Sequence, residues 1–135
     1  MAAERLVIDA SAATASLLAG DTGFDLYARF RLVAPPLLWS EVRSALHQVM
    51  WRGELTPADA GAAHARLATA PIRPHSPARL GLSAWAIAGE FGWAKTYDAE
   101  YLALGRLLSC RMVTLERRLH RRIGNAQLVI GPTEL

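Results

Sequence analysis

The chain has 135 residues, 52% of them hydrophobic and 20% charged, with a formal charge of +3 at pH 7. That length and apolar share suit one domain over residues 1–135 with its own core, and they exclude a disordered chain. No apolar run approaches the roughly 20 residues of a membrane span, and the opening run Leu6-Val7-Ile8 ends at once in Asp9 rather than in a signal-peptide layout, so the expected location is the cytoplasm.

In chain order, Leu6-Val7-Ile8 reads as a strand, followed directly by Asp9. Ser11 can cap a helix to about Leu18, with Gly20 as its stop, and Thr22 can cap a short second helix from Gly23 to Phe30. Leu32-Val33-Ala34 is the next strand. Pro35-Pro36 breaks the chain before a helix over Leu37 to Trp51, where Leu38, Val42, Ala45, Leu46 and Val49 keep helical spacing. Thr56-Pro57-Ala58-Asp59 supplies a cap, a proline at the first position and an acid at the third, and starts a helix to about Ala70.

Ile72-Arg73 lies extended between prolines, and Ser76-Pro77 opens a helix to about Phe91. A connector over 92–96 leads to a helix from Tyr97 to Leu108. A strand over Arg111 to Thr114, a helix from Leu115 to Ile123, a turn at Gly124-Asn125 and a last strand over Gln127 to Ile130 complete the pattern. Short apolar strands alternating with helices predict an α/β domain with a mainly parallel sheet. In such sheets, ligands bind where loops leave the carboxyl ends of the strands.

Acidic residues fall at those places. Asp9 follows the first strand, Asp98 starts a helix, Glu41 lies in the first turns of the helix after Pro35-Pro36, and Glu116 follows the strand ending at Thr114. If the sheet is parallel, the four can meet at one edge. Carboxylates so placed repel, and their pKa values rise. A divalent cation with a taste for oxygen, Mg²⁺ or Mn²⁺, removes that conflict and can activate water against a phosphate. Taken singly, an Asp after a strand is also an ordinary helix cap, and Glu41 or Glu116 can be a solvated helix residue.

The motifs themselves are similar to a known family. LVIDASA at 6–12, PPLLWSEVRSAL at 35–46, KTYDAEYLALG at 95–105 and MVTLERRL at 112–119 resemble, in order, the four conserved blocks of PIN domains. The third is closest to the pattern of bacterial VapC-type toxins. The resemblance implies a three-layer α/β/α sandwich that cleaves RNA with Mg²⁺ or Mn²⁺, paired with an antitoxin protein and forming a homodimer. It assigns metal ligation to Asp9, Glu41 and Asp98. Glu116 stands where many relatives carry Asp, one methylene shorter, so its contact with metal is expected to be less direct. Ser11 and Thr114 would support the carboxylates by hydrogen bonds, or simply serve as caps.

Lys95 is the only lysine and Cys110 the only cysteine, so arginine carries the positive charge and neither a disulfide nor a thiolate zinc cluster is available within the chain. Cys110 reads as a buried inert thiol. Arg117, Arg118, Arg121 and Arg122 form a cluster that can hold RNA phosphates, or else face solvent or a protein partner. Trp39, Trp51, Trp85 and Trp93 read as core or interface residues. His47, His64, His75 and His120 lack metal-ligand spacing. The apolar helices between Ser11 and Trp51 offer Leu17, Leu18, Leu38 and Val42 as partner contacts or as core.

Three functions compete. The first is a metal-dependent ribonuclease, of the toxin type or a housekeeping nuclease. The second is a catalytically weak module that binds RNA or protein, and the third a phosphoacceptor receiver domain. The receiver would need paired acids after the first strand, and Asp9 is unpaired there.

Overall fold

The computed structural model describes residues 3–123 and 128–135. Its strands are β1 (Glu4–Ile8), β2 (Phe30–Ala34), β3 (Ile72–Pro74), β4 (Arg111–Val113) and β5 (Val129–Ile130), joined in the order β3-β2-β1-β4-β5. Every pairing is parallel. Leu6, Val7 and Ile8 of the central strand are fully buried, because helices cover both faces and leave no side that could carry polar residues.

The helices are α1 (Ala10–Leu18), α2 (Leu37–Trp51), α3 (Pro57–Leu67), α4 (Leu80–Phe91), α5 (Tyr97–Leu108) and α6 (Arg117–Ile123). α1, α2 and α3 pack on one another, while α4 packs on α5, and α5 also lies against β1 and β4. The chain steps outward from β1 to β2 to β3, then returns past β1 to β4. With right-handed crossovers, that reversal puts α4 and α5 on the face opposite α1–α3, which makes the three layers. Gly105 allows α5 to come close: a Cβ there would sit 3.1 Å from the Cys110 carbonyl and 4.0 Å from Val7 Cγ2.

Several local expectations are corrected. Asp9, not Ser11, caps α1: its backbone is extended and its side chain accepts from the Ala12 N–H. The expected helix over Gly23–Phe30 is a single 3₁₀ turn, Asp25–Tyr27, because Gly23 packs on the Ser16 main chain and Phe30 already belongs to β2. α3 stops at Leu67 rather than Ala70: the N–H groups of Ala68, Thr69 and Ala70 bond three residues back in a tightened last turn, and the residue before Pro71 is kept out of helical conformation. α4 starts at Leu80, past Pro77, and α6 at Arg117. β3 ends in Pro74, which suits a strand at the sheet edge. The expected turn at Gly124-Asn125 and the start of the last strand at Gln127 lie outside the described residues.

Leu17, Leu38 and Val42 are core residues, each 0% exposed, so of the four apolar partner contacts considered only Leu18 faces outward. The tryptophans divide: Trp39 and Trp93 pack against the core, while Trp51 and Trp85 stand exposed. Cys110 is half-buried, and burial pushes its thiol pKa up, as expected of an unreactive thiol.

Candidate active site

The sheet changes winding direction between β1 and β4, and the crevice above their carboxyl ends is the site such a topology offers to ligands. Asp9 and Thr114 are the residues that leave those two strands. Asp9 is 5% exposed, and its N–H still bonds the Val113 carbonyl across the gap. Its Oδ1 accepts from Ser11 Oγ at 2.7 Å and from the Ala12 N–H at 3.0 Å. Ser11 Oγ in turn accepts the Leu115 N–H at 3.1 Å and touches Thr114 Oγ1 at 3.3 Å, while Thr114 Oγ1 accepts the Glu116 N–H at 2.9 Å. Ser11 and Thr114 thus lock the turn after β4 onto the carboxylate after β1.

The other acids arrive from both helical layers. Glu41 lies in the second turn of α2, Asp98 and Glu100 in the first turn of α5, and Glu116 just before α6. Tyr101, 1% exposed, reaches from α5 to Glu41 and donates a 2.5 Å hydrogen bond to its Oε1. Burial first, and then the neighbouring Glu41, Asp9 and Asp98 charges, raise the Tyr101 phenol far above its ordinary range, so it remains a donor.

All five carboxyls are displaced upward. Burial is the main cause for Asp9, and its hydrogen bonds from Thr114, Ala12 and Ser11 pull the other way. Glu41 is raised by burial and by the charges of Asp98, Glu100 and Glu116, against the pull of the Tyr101 hydrogen bond. Glu116 is raised by burial and by Asp98 and Asp9, with Arg118 opposing. Asp98 stands at the rim, and Glu100 is half-buried; partial loss of water raises both. No ion pair among the described residues involves any of them.

The acids are coupled without closing into a cage: among the described residues, no three acid, imidazole or thiol groups converge on one point as a complete metal-binding set. An oxygen-only set of this kind, in no ion pair among the described residues, still fits Mg²⁺ or Mn²⁺. Such ions keep several waters and need one or two direct carboxylates, with the rest acting through water.

No family model matches the chain. It resembles PAE2754 from Pyrobaculum aerophilum in structure, with a TM-score of 0.74 over 99% of this chain and 94% of that one, at 23% identity. The fold is therefore shared. VapC ribonuclease Mb0985 of Mycobacterium bovis is 36% identical over 121 residues, which is 84% of this chain and 87% of the relative. Ribonuclease VapC9 of Mycobacterium tuberculosis matches to the same extent. The chain belongs to the VapC ribonuclease family.

Within this family member, all four acids singled out from the sequence lie at the switch-point crevice. Glu100 and Tyr101 were not anticipated. The signal was present, since an acid and a tyrosine follow Asp98 within one helical turn, but only the fold reveals that they face α2. The arginine cluster divides along α6. Arg118 and Arg122 share a cleft of about 350 Å³ with Asp98, Glu116, Lys95 and Trp93. Arg117 and Arg121 line a second depression together with Thr114, Glu116, Thr133 and Glu134. His120 lies within 3.4 Å of Glu134.

Proposed function

We propose that the chain is a metal-dependent ribonuclease that hydrolyses RNA phosphodiester bonds as the toxin of a toxin–antitoxin pair. The observation that carries this reading is the linked set Asp9, Glu41, Asp98 and Glu116 at the switch point, each carboxyl raised by partial or full burial and none in an ion pair among the described residues. Asp9, Glu41 and Asp98 would hold Mg²⁺ or Mn²⁺, and Glu116 would take part through water. When bound, the ion supplies positive charge for the phosphate and lowers the pKa of nearby water.

The chain's own groups do the rest. Ser11, Thr114 and the α1 amino end fix Asp9, and Tyr101 fixes Glu41, so neither carboxylate must reorganise during reaction. A carboxylate with a raised pKa is a better acceptor for the proton of the attacking water. The new bond is water oxygen to phosphorus, and the bond that breaks is phosphorus to the leaving ribose oxygen. Lys95, Arg118 and Arg122 border the same cleft and suit the flanking phosphates.

RNA is the substrate, and the cognate antitoxin and a second copy of the chain are the partners. Leu82 and Trp85, one turn apart on α4 and 75% and 76% exposed, favour a face that a partner covers. No helix among the described residues is long and apolar enough to cross a membrane, and the proposed location is the cytoplasm.

The test is cleavage of single-stranded and structured RNA by purified protein with Mg²⁺ or Mn²⁺. EDTA should abolish it, and so should Asp9→Asn or Asp98→Asn, each with the fold retained. Glu116→Gln should cost less than either. Undiminished cleavage in excess EDTA would sink the metal mechanism.

A further inference from the structure

One cavity of the molecule lies away from the acids. It is a groove of about 720 Å³ along β2 and β3, lined by Arg5, Arg31 and Arg73 together with backbone and apolar groups. Arg5 pairs with Arg31 in the β1–β2 register, and Val33, two residues beyond Arg31, pairs with Arg73. Residues paired across a sheet, or two apart along a strand, share a face. The three arginines therefore stand on the same face.

This arrangement has a cost. Neighbouring strands lie about 4.8 Å apart, and like charges directly opposite each other destabilise a sheet. No acidic residue lines the groove, and no ion pair among the described residues involves any of the three. The other basic strand residue, Arg111, is by contrast paired with Glu4 at 3.3 Å. An anion between the strands would turn the repulsion into binding, and the guanidinium fork suits phosphate oxygens.

The groove also leads toward the catalytic end. At its far end the His75 N–H bonds the Ala34 carbonyl, and Ala34 runs through Pro35 and Pro36 into α2, which carries Glu41. A chain of phosphates extending from the acids can pass over this junction and down the sheet edge.

We infer that the Arg5–Arg31–Arg73 groove binds the phosphate backbone of the RNA substrate at a distance from the scissile bond. The inference rests on the ribonuclease reading above. The experiment measures binding of an unstructured RNA of about 20 nucleotides to an Asp98→Asn protein in EDTA, by fluorescence anisotropy across a salt series. For single strands, each phosphate contact contributes about 0.7 to the slope of log affinity against log salt. Arg31→Gln/Arg73→Gln should therefore lower the slope by about 1.4, equivalent to roughly 25-fold weaker binding at 0.1 M salt if the two proteins converge near 1 M. Arg31→Lys/Arg73→Lys keeps the charges and should keep the slope.

An unchanged slope in a folded glutamine pair would overturn the proposal, as would loss of binding to an acidic peptide with RNA binding intact. Should the glutamine pair fail to fold, phenylglyoxal modification of the unaltered arginines decides. Bound RNA should protect Arg31 and Arg73, and full reactivity in the complex would overturn the inference. A gel of RNA cleavage by the parent chain reports separately on the catalytic reading.

Discussion

The Tyr101 hydroxyl and Glu41 Oε1 are joined by a 2.5 Å hydrogen bond that ties α5 to α2 across the end of the sheet. The two helices belong to opposite layers, so this bond spans the crevice that holds the acids. A phenol kept protonated by its surroundings donates to a carboxylate in the short range typical of charge-assisted bonds.

Tyr101→Phe should leave the fold in place, because the ring stays and only a hydroxyl is lost. Glu41 would lose the one contact that holds its pKa down and would be left with burial and the charges of Asp98, Glu100 and Glu116. Its pKa should rise further. Cleavage at neutral pH should fall by about tenfold or more, the equivalent of one charge-assisted hydrogen bond. The acid limb of the pH–rate profile should move to higher pH. A lower rate with an unmoved acid limb would mean that Tyr101 acts only in packing.

The raised carboxyls fix the sign of the pH effect on stability. A carboxyl whose pKa is higher in the folded than in the unfolded chain binds more protons when folded, so stability falls as pH rises through that window. The stabilising protonated form is fully present below the ordinary carboxylate range and is lost above the raised values. The metal-free protein should therefore melt at a lower temperature at pH 7 than at pH 5, as far as these groups decide. Mn²⁺ at pH 7 should raise the melting temperature, and Asp98→Asn should raise it without metal and blunt the Mn²⁺ effect. Calorimetry at both pH values, with and without EDTA, measures each part. A Mn²⁺ response undiminished in Asp98→Asn would remove that residue from the ligand set.

Periodicity and caps made most of this fold legible. α2 was expected from Leu37 to Trp51 and α5 from Tyr97 to Leu108, and both have those bounds, since proline, an αL residue or a change of period marks their ends. The misplaced pieces lacked such marks. Thr22 is a plausible cap, but Gly23 is committed to packing on Ser16, which no local pattern reveals. Asp9 and Ser11 are both good cap residues. Which one caps α1 depends on Leu115 and Thr114, more than a hundred residues away, which engage the serine. The four acids were visible because each stands beside a strand end or a helix start. Glu100 and Tyr101 stayed hidden because their importance comes from a helix in the opposite layer.

Gly23 provides a test of that hidden packing. A Cβ there would lie 1.7 Å from the Ser16 carbonyl oxygen and 2.6 Å from its carbon, both main-chain atoms of α1 that cannot swing aside. Gly23→Ala should cost about 3 kcal/mol or more, at the upper end of overpacking effects. That corresponds to a melting temperature lower by about 10 °C. Gly20→Ala is the contrast, since φ there is +96° and the space is open. Its cost should be only the conformational one, about 1–2 kcal/mol. Equal melting temperatures for the two variants would contradict the close approach.

The division of arginines along α6 predicts two different phenotypes. Arg118 and Arg122 share a cleft with both Asp98 and Glu116, while the depression of Arg117 and Arg121 is bordered by Glu116 but not by Asp98 and runs along the segment Gly131–Glu134. In EDTA, Arg118→Ala/Arg122→Ala should lower the salt slope of RNA binding by about 1.4, at about 0.7 for each phosphate contact. The loss should be similar for unrelated RNAs, since phosphate contacts position the chain without reading its sequence. Arg118 also opposes the upward displacement of Glu116, so its removal should shift Glu116 higher and carry the acid limb of the cleavage profile with it. Arg117→Ala/Arg121→Ala should leave the slope nearly unchanged, and its effect should appear in binding to the antitoxin or to a second copy of the chain. Salt titrations of both pairs on the same RNA, with antitoxin titrations alongside, separate the outcomes. A larger loss of slope from the 117/121 pair would place the phosphate path on the other side of α6.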